Sequence, residues 1–236
     1  MKKLILVHGD KGGSGKTHTA HLTAAILRQV GHPVTLVDGD AKNPGVHRYF
    51  DNKPDPVLRI NARKPEGIDA LIDAFLEAPA DVLVDLPAGG SDMTNGFLGA
   101  GSAAGTVDIE ALFQETGDRL VIMFVIDQSR DALVAVDAEL KRLPDTVTDW
   151  VIVRNHRMDA PFERFERWNK TADLKGATII DMPPLDRRAI DALVDAKAHI
   201  GEIDAAETAS ALSKIRAKAA LRVWRAELVK AGVING

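Results

Sequence analysis

Cysteine is absent from all 236 residues. That excludes disulfides, thiolate zinc sites, cysteine nucleophiles and cysteine-ligated iron–sulfur clusters, and makes a reducing compartment the natural setting. Long apolar runs are also missing. Met1-Lys2-Lys3 is followed only by Leu4 to Val7 before His8 and Gly9, too short for a signal-peptide core, and no stretch approaches a membrane span. A cytoplasmic protein is expected. Nor is there a surplus of positive charge: the formal net charge is -4, which excludes nucleic-acid binding by bulk charge and confines any polyanion contact to a local patch. What is present is ordinary. Hydrophobic residues at 45% and charged residues at 27% argue against disorder and fibrous repeats, and the length suits one α/β domain over residues 1–236.

Apolar, β-branched runs alternate with helix-period segments, the pattern of βαβ units on a buried parallel sheet. The runs are Leu4 to Val7, Val34 to Val37, Val82 to Val84, Leu120 to Ile126, Trp150 to Val153 and Thr178 to Ile180. They predict a doubly wound, mostly parallel sheet with helices on both faces. A helix bearing Leu22, Ile26 and Leu27 follows the first glycine-rich turn and stops at Gly31; another carries Ile68, Leu71 and Phe75; a third carries Leu133, Val136, Leu140 and Leu143 and ends at Pro144. Pro87 to Gly105, rich in Gly, Ser and Ala, is expected to be a functional lid.

Between the first strand and first helix stands Gly9-Asp10-Lys11-Gly12-Gly13-Ser14-Gly15-Lys16-Thr17, a phosphate-binding loop in its proper context. Glycines let successive N–H groups and the helix N-terminus point at phosphates; Lys16 adds a point charge and Thr17 a hydroxyl for Mg²⁺. Gly12 to His18 are the candidate nucleotide contacts. The plain motif fails by one residue, because Asp10 occupies the usual first glycine. Three strand-end features accompany the loop. Leu36-Val37-Asp38-Gly39-Asp40 delivers two carboxylates to the crevice, where Asp40 also suits a turn. Asp81-Val82-Leu83-Val84-Asp85 delivers one carboxylate, suited to holding Mg²⁺ beside Thr17. The seven histidines show no paired metal-ligand spacing and are expected at the surface or in local hydrogen bonds.

The variant Lys-Gly-Gly-x-Gly-Lys-Thr loop, with the following strands, resembles the deviant Walker A motif of the ParA/MinD family of P-loop ATPases, over most of the chain. The resemblance implies that Lys11 reaches across a nucleotide-sandwiched homodimer to the partner's phosphates; neutralising charge within its own subunit is the alternative. It implies that Asp40 orients the attacking water, that Asp38 is a nearby polar and metal-shell group, and that Asp85-Leu-Pro-Ala-Gly89 begins a second switch. By the same resemblance Asn155 contacts adenine, and the loop Asp181 to Leu185, with Pro183, flanks it. A guanine-specific Asn-Lys-x-Asp is missing, since Met158 stands three residues after Asn155. ATP with Mg²⁺ is therefore the expected nucleotide.

Ala205 to Val233 reads as one long helix or two, with Lys214, Lys218, Arg222 and Arg225 on a basic stripe and Leu212, Ile215, Ala219, Val223 and Ala226 on an apolar stripe expected to pack. In partition members of the family such cations bind DNA backbone nonspecifically; a solvated face is the plain alternative. A C-terminal membrane-targeting helix fits less well, because Arg216 and Glu227 interrupt it. The missing cysteines set aside nitrogenase-reductase-like relatives, and a lone Tyr49 sets aside tyrosine-autophosphorylating ones. What remains resembles short plasmid partition, stability or conjugation ATPases. The implied function is a slow ATP-hydrolysing switch that dimerises with ATP, meets a partner or adaptor protein and positions a cargo such as plasmid DNA, placing it in the cytoplasm or on the nucleoid. Two alternatives stand beside it: a metabolic P-loop enzyme that activates or phosphorylates a small molecule, and a nucleotide-binding adaptor without useful hydrolysis.

Overall fold

A computed structural model describes residues 1–50, 56–89, 108–143, 145–158 and 160–235. Seven parallel strands form one sheet: β1 (Lys3–His8), β2 (Val34–Asp38), β3 (Leu58–Arg59), β4 (Asp81–Asp85), β5 (Arg119–Ile126), β6 (Thr148–Asn155) and β7 (Thr178–Met182), in the order β3-β2-β4-β1-β5-β6-β7. The six expected strands are all present. The seventh, β3, has two residues, too few for any periodicity to register.

Successive side chains of a strand face opposite sides of the sheet, so each strand serves two cores. Ile5, Val7, Met123, Val125, Val151 and Val153 meet one helical layer, made of α1 (Lys16–Gln29), α2 (His47–Phe50), α7 (Arg187–Asp195), a 3₁₀ turn (Ile200–Ala205) and α8 (Ala211–Lys230). Leu4, Leu6, Ile122, Phe124, Trp150 and Ile152 meet the other, made of α3 (Pro65–Glu77), α4 (Ile109–Thr116), α5 (Arg130–Arg142) and α6 (Glu163–Asn169). Helix starts are written in the sequence: Asp108, Ser129, Asp186 and Ser210 each accept a backbone N–H of the helix they precede. Gly31 lies just past α1 with φ +69°, the left-handed stop expected of it. The expected lid beyond Gly89, and Pro144, lie outside the described residues.

Helix α8 departs from expectation. Its buried face is Ser213, Ala217, Ala220, Leu221, Trp224 and Leu228, whereas Leu212, Ile215 and Val223 are 55%, 63% and 50% exposed. The apolar stripe expected to pack therefore points outward. Small side chains let α8 lie close, and Trp224 supplies the bulk, its indole N–H donating to Thr23 Oγ1 at 3.2 Å.

Candidate functional site

Strand register gathers the site. Val7 lies beside Asp85, and Asp85 beside Asp38, so the glycine loop leaving β1 and the carboxylates leaving β2 and β4 emerge at one edge. There a cavity of about 340 Å³ is lined by Gly12, Lys16, Thr17, Asp40, Gly45 and Asp85 among others, and His18 joins its wall. Gly15, at φ +106°, turns the chain into α1, and a side chain there would strike the Asn155 amide.

Lys16 is 7% exposed, and its ammonium donates to the Lys11 carbonyl at 3.0 Å. Burial holds its pKa below the usual value against the opposing pull of Asp85 and Asp10. Asp85 is 4% exposed; burial pushes it up to about 7, opposed by a hydrogen bond from Thr17 and reinforced by Asp38. One of its oxygens, Oδ1, is buried without a partner. A Cβ added to Gly45 would lie 2.6 Å from Thr17 Oγ1 and collide with Asp85 Oδ2. Two hard oxygen donors thus stand together with an unmet acceptor, in a space kept open by a missing side chain. That donor set fits Mg²⁺.

Asp38, expected in the metal shell, has a loop-clamping job. It is 1% exposed and does not line the cavity. Oδ1 accepts Asp40 N at 3.1 Å, and Oδ2 accepts Gly45 N at 2.7 Å and His47 N at 3.0 Å. It clamps the loop that presents Asp40. Asp40 itself borders the cavity while Oδ1 caps the turn, accepting from Lys42 N and Asn43 N at 3.2 and 3.0 Å.

Asn155, 7% exposed, lies under the phosphate loop and donates from Nδ2 to the Ser14 carbonyl at 2.7 Å. Its amide nitrogen supports the loop. Pro183 lies away from the phosphate cavity, on a groove against α8. Lys11 does not line the cavity either; its half-exposed ammonium sits 3.7 Å from Asp127 Oδ2.

Asp127 and Arg157 were not foreseen. Asp127, 1% exposed, leaves the end of β5, accepts Ser129 N at 3.0 Å and leaves Oδ2 without a hydrogen-bond donor beside Lys11. Burial would raise its pKa, but the Ser129 hydrogen bonds, Lys11 and Arg157 outweigh that and hold it below the usual range. Arg157 donates to the Gly13 carbonyl. A strand-end carboxylate after an apolar run was the available signal for Asp127; Arg157 had none.

The basic stripe on α8 is not intact. Lys214 donates to the Asp204 carbonyl at 3.0 Å and Lys218 pairs with the Asp204 carboxylate at 2.7 Å. Lys218, Arg222 and Arg225 line one cavity beside the 3₁₀ turn. Of the histidines, His8 and His21 are fully buried, His8 beside Glu139 and His21 accepting a hydrogen bond from Ile200 N at 2.9 Å. Among the described residues no cluster of metal-ligating side chains occurs.

The model of the ATPase MipZ family matches residues 3–78. Protein MobD of Acidithiobacillus ferrooxidans is 26% identical over 241 residues, spanning 99% of either chain. The cell division ATPase MinD of Pyrococcus furiosus superposes with a TM-score of 0.52 at 17% identity, covering 96% of this chain and all of that one. The septum site-determining protein MinD of Pyrococcus horikoshii OT3, complexed with Mg-ADP, gives 0.48 at 16% identity over 98% of this chain and 99% of its own. The Pyrococcus furiosus structure shares the seven-stranded parallel fold.

Proposed function

We propose that this chain, a P-loop ATPase of the ParA/MinD type, works as a molecular switch: it binds ATP with Mg²⁺, pairs with a second copy while ATP is present, and resets by slow hydrolysis. The observation that carries this reading is the convergence of Lys16, Thr17, Asp40 and Asp85 on one glycine-walled cavity at the carboxyl edge of the sheet.

The backbone N–H groups of Gly12 to Gly15 and the N-terminus of α1 receive the phosphates. Lys16, already stripped of most of its water, neutralises charge on them at no further desolvation cost. The Thr17 hydroxyl and the Asp85 carboxylate would hold Mg²⁺, which would supply charge neutralisation for the transferred phosphoryl group. Asp40, fixed by Asp38 through the loop N–H groups, orients water for in-line attack on the γ-phosphorus; the bond to the bridging oxygen breaks, ADP leaves with that electron pair, and the water's surplus proton passes to the released phosphate. Loss of the γ-phosphate releases the loop 40–46.

Lys11 sits outside the cavity and half exposed, held by Asp127. That position suits a lysine destined for a neighbour's phosphates better than one serving its own. Light scattering on protein separated by size, with ADP or a nonhydrolysable ATP analogue, is the test. Wild type is expected to double in mass only with the analogue, and Lys11→Ala to remain single in both; an oligomeric state indifferent to nucleotide overturns the switch. The cargo is proposed to reach the ATP-bound pair through a partner protein, with plasmid DNA as the cargo that the resemblance of the phosphate loop to partition ATPases implies. A metabolic P-loop enzyme would instead turn over ATP only when a small acceptor is supplied.

A further inference from the structure

The outward apolar row of α8 has no place in the nucleotide cycle. At 100° per residue, Leu212, Ile215, Ala219, Val223 and Ala226 fall within about 80° of arc, and their centre lies about 150° round the helix from the buried face. The row runs about 21 Å. Its three bulky members are each at least half exposed, at 55%, 63% and 50%. A contiguous apolar stripe on an otherwise charged helix marks a contact surface.

Beside the row lies a groove of about 400 Å³, lined by Pro183, Pro184, Leu185, Ala219, Ala220 and Val223. Alanines on α8 leave room for a second helix to approach closely, and the proline-stiffened loop after β7 forms the opposite wall. At its rim Asp186, 8% exposed, pairs with Arg216 at 3.1 Å. The groove is concave and shaped, which suits a ridge of side chains better than the flat surface of a lipid bilayer.

Charge identifies the occupant. Of the seven charged side chains on α8, six are basic, and the single acid, Glu227, is engaged by Asp181 N and Lys230. Arg222, exposed on the edge of the apolar row, has no ion pair or hydrogen bond among the described residues. Arg216, Lys218 and Lys230 are paired with Asp186, Asp204 and Glu227, so the unopposed charge beside the row that a second copy would repel is that of Arg222. A helix with leucine-like residues in a row and carboxylates alongside would meet both the stripe and its basic edge.

We propose that the outer face of α8 docks an acidic amphipathic helix of a partner protein, with Ile215 and Val223 as the anchoring contacts and Arg222 as the charge that sets its orientation. None of this face's residues lines the phosphate cavity, and the contact does not rest on the ATPase reading.

The test uses the full chain without nucleotide and two labelled synthetic helices, both with leucines at i, i+3, i+4 and i+7, one flanked by glutamates and one by lysines. By fluorescence anisotropy the glutamate helix is expected to bind at least about tenfold tighter than the lysine helix, and Ile215→Asp and Val223→Asp each to weaken it about tenfold. Arg222→Glu is expected to reverse the preference. These side chains lie outside the core, so melting temperatures serve as the folding control; if an aspartate variant unfolds, the charge reversal at Arg222 carries the test alone. Equal binding of the two helices, or none, overturns the proposal. So does an Ile215→Asp variant that loses sedimentation with phosphatidylglycerol vesicles, or loses self-association in light scattering, while neither helix binds: the first result assigns the face to lipid, the second to another copy.

Discussion

Asp85 concentrates the conflict that a switch needs. Its carboxylate is buried, lacks a partner on one oxygen and is pushed up to about 7, a strain tolerated because an incoming cation relieves it. A carboxyl whose folded pKa exceeds its unfolded 3.8 penalises the folded state progressively as pH rises between the two values, and fully above about 7. Asp85→Asn is therefore expected to stabilise the nucleotide-free protein by roughly 1–3 kcal/mol at high pH, to lose that advantage near the unfolded carboxylate pKa, and to abolish Mg²⁺-dependent nucleotide binding. Urea unfolding at both pH values checks the first part and calorimetric titration the second; an Asn variant that still binds nucleotide with Mg²⁺ dependence removes Asp85 from the metal site. Lys16, Thr17, Asp40 and Asp85 were legible because each follows an apolar strand or closes a glycine loop. Asp127 follows β5 in the same manner as Asp85 follows β4, and that rule applied to every strand would have found it. Asp38 looked like a ligand because sequence cannot show that three backbone N–H groups already occupy its oxygens.

Among the elements, strands read more clearly than helix faces. Six runs of β-branched residues marked six strands, since a doubly covered strand is apolar throughout and cannot be turned the wrong way. Helix α8 can be. It carries two stripes at helical spacing, and the bulkier one suggested the core, yet Ala217, Ala220 and Trp224 pack and Ile215 does not. Close approach of α8 to α1 and β7 favours small residues, a demand set by neighbours rather than by the helix. The basic stripe shrank for a related reason, because Asp204 on the 3₁₀ turn takes Lys214 and Lys218. Arg222 and Arg225 are the two of the four cations that Asp204 does not engage, so a DNA contact is tested first on them. Duplicated in a dimer, they would present four cations, so DNA retention is expected with the ATP analogue and not with ADP, falling steeply with salt. Arg222→Glu with Arg225→Glu should abolish it, and retention unchanged in that variant eliminates DNA as a ligand of α8.

For the whole molecule, stability is tied to pH through a buried ring. His21 on α1 is fully buried, stacks on Tyr49 with ring centres 3.9 Å apart, and accepts Ile200 N at 2.9 Å. One side chain thereby joins α1, α2 and the 3₁₀ turn. Burial, with His18 and His199 nearby, lowers its pKa well below 6.5, so the unfolded chain binds a proton that the folded chain refuses. Stability from this group is complete above 6.5 and falls as pH drops below it, by up to about 1.4 kcal/mol per unit. His21→Gln, which keeps an acceptor for Ile200 N, should flatten the decline in unfolding free energy between neutral and mildly acidic pH. A variant with the wild-type slope would exclude His21 as its source.

The sequence by itself determined six of the seven strands, the phosphate loop and the carboxylates at the ends of β2 and β4, because these depend on local periodicity and on what a chain must do when it leaves a strand. Only the tertiary structure decided which face of α8 is buried, that Asp38 clamps the loop after β2, that Asn155 supports the phosphate loop, and that Asp127 holds Lys11. Each of those depends on a residue far away in the chain. Burial, the accounting of hydrogen bonds and the pairing of charges are properties of neighbours in space, and they come into existence when the sheet brings those residues to one edge.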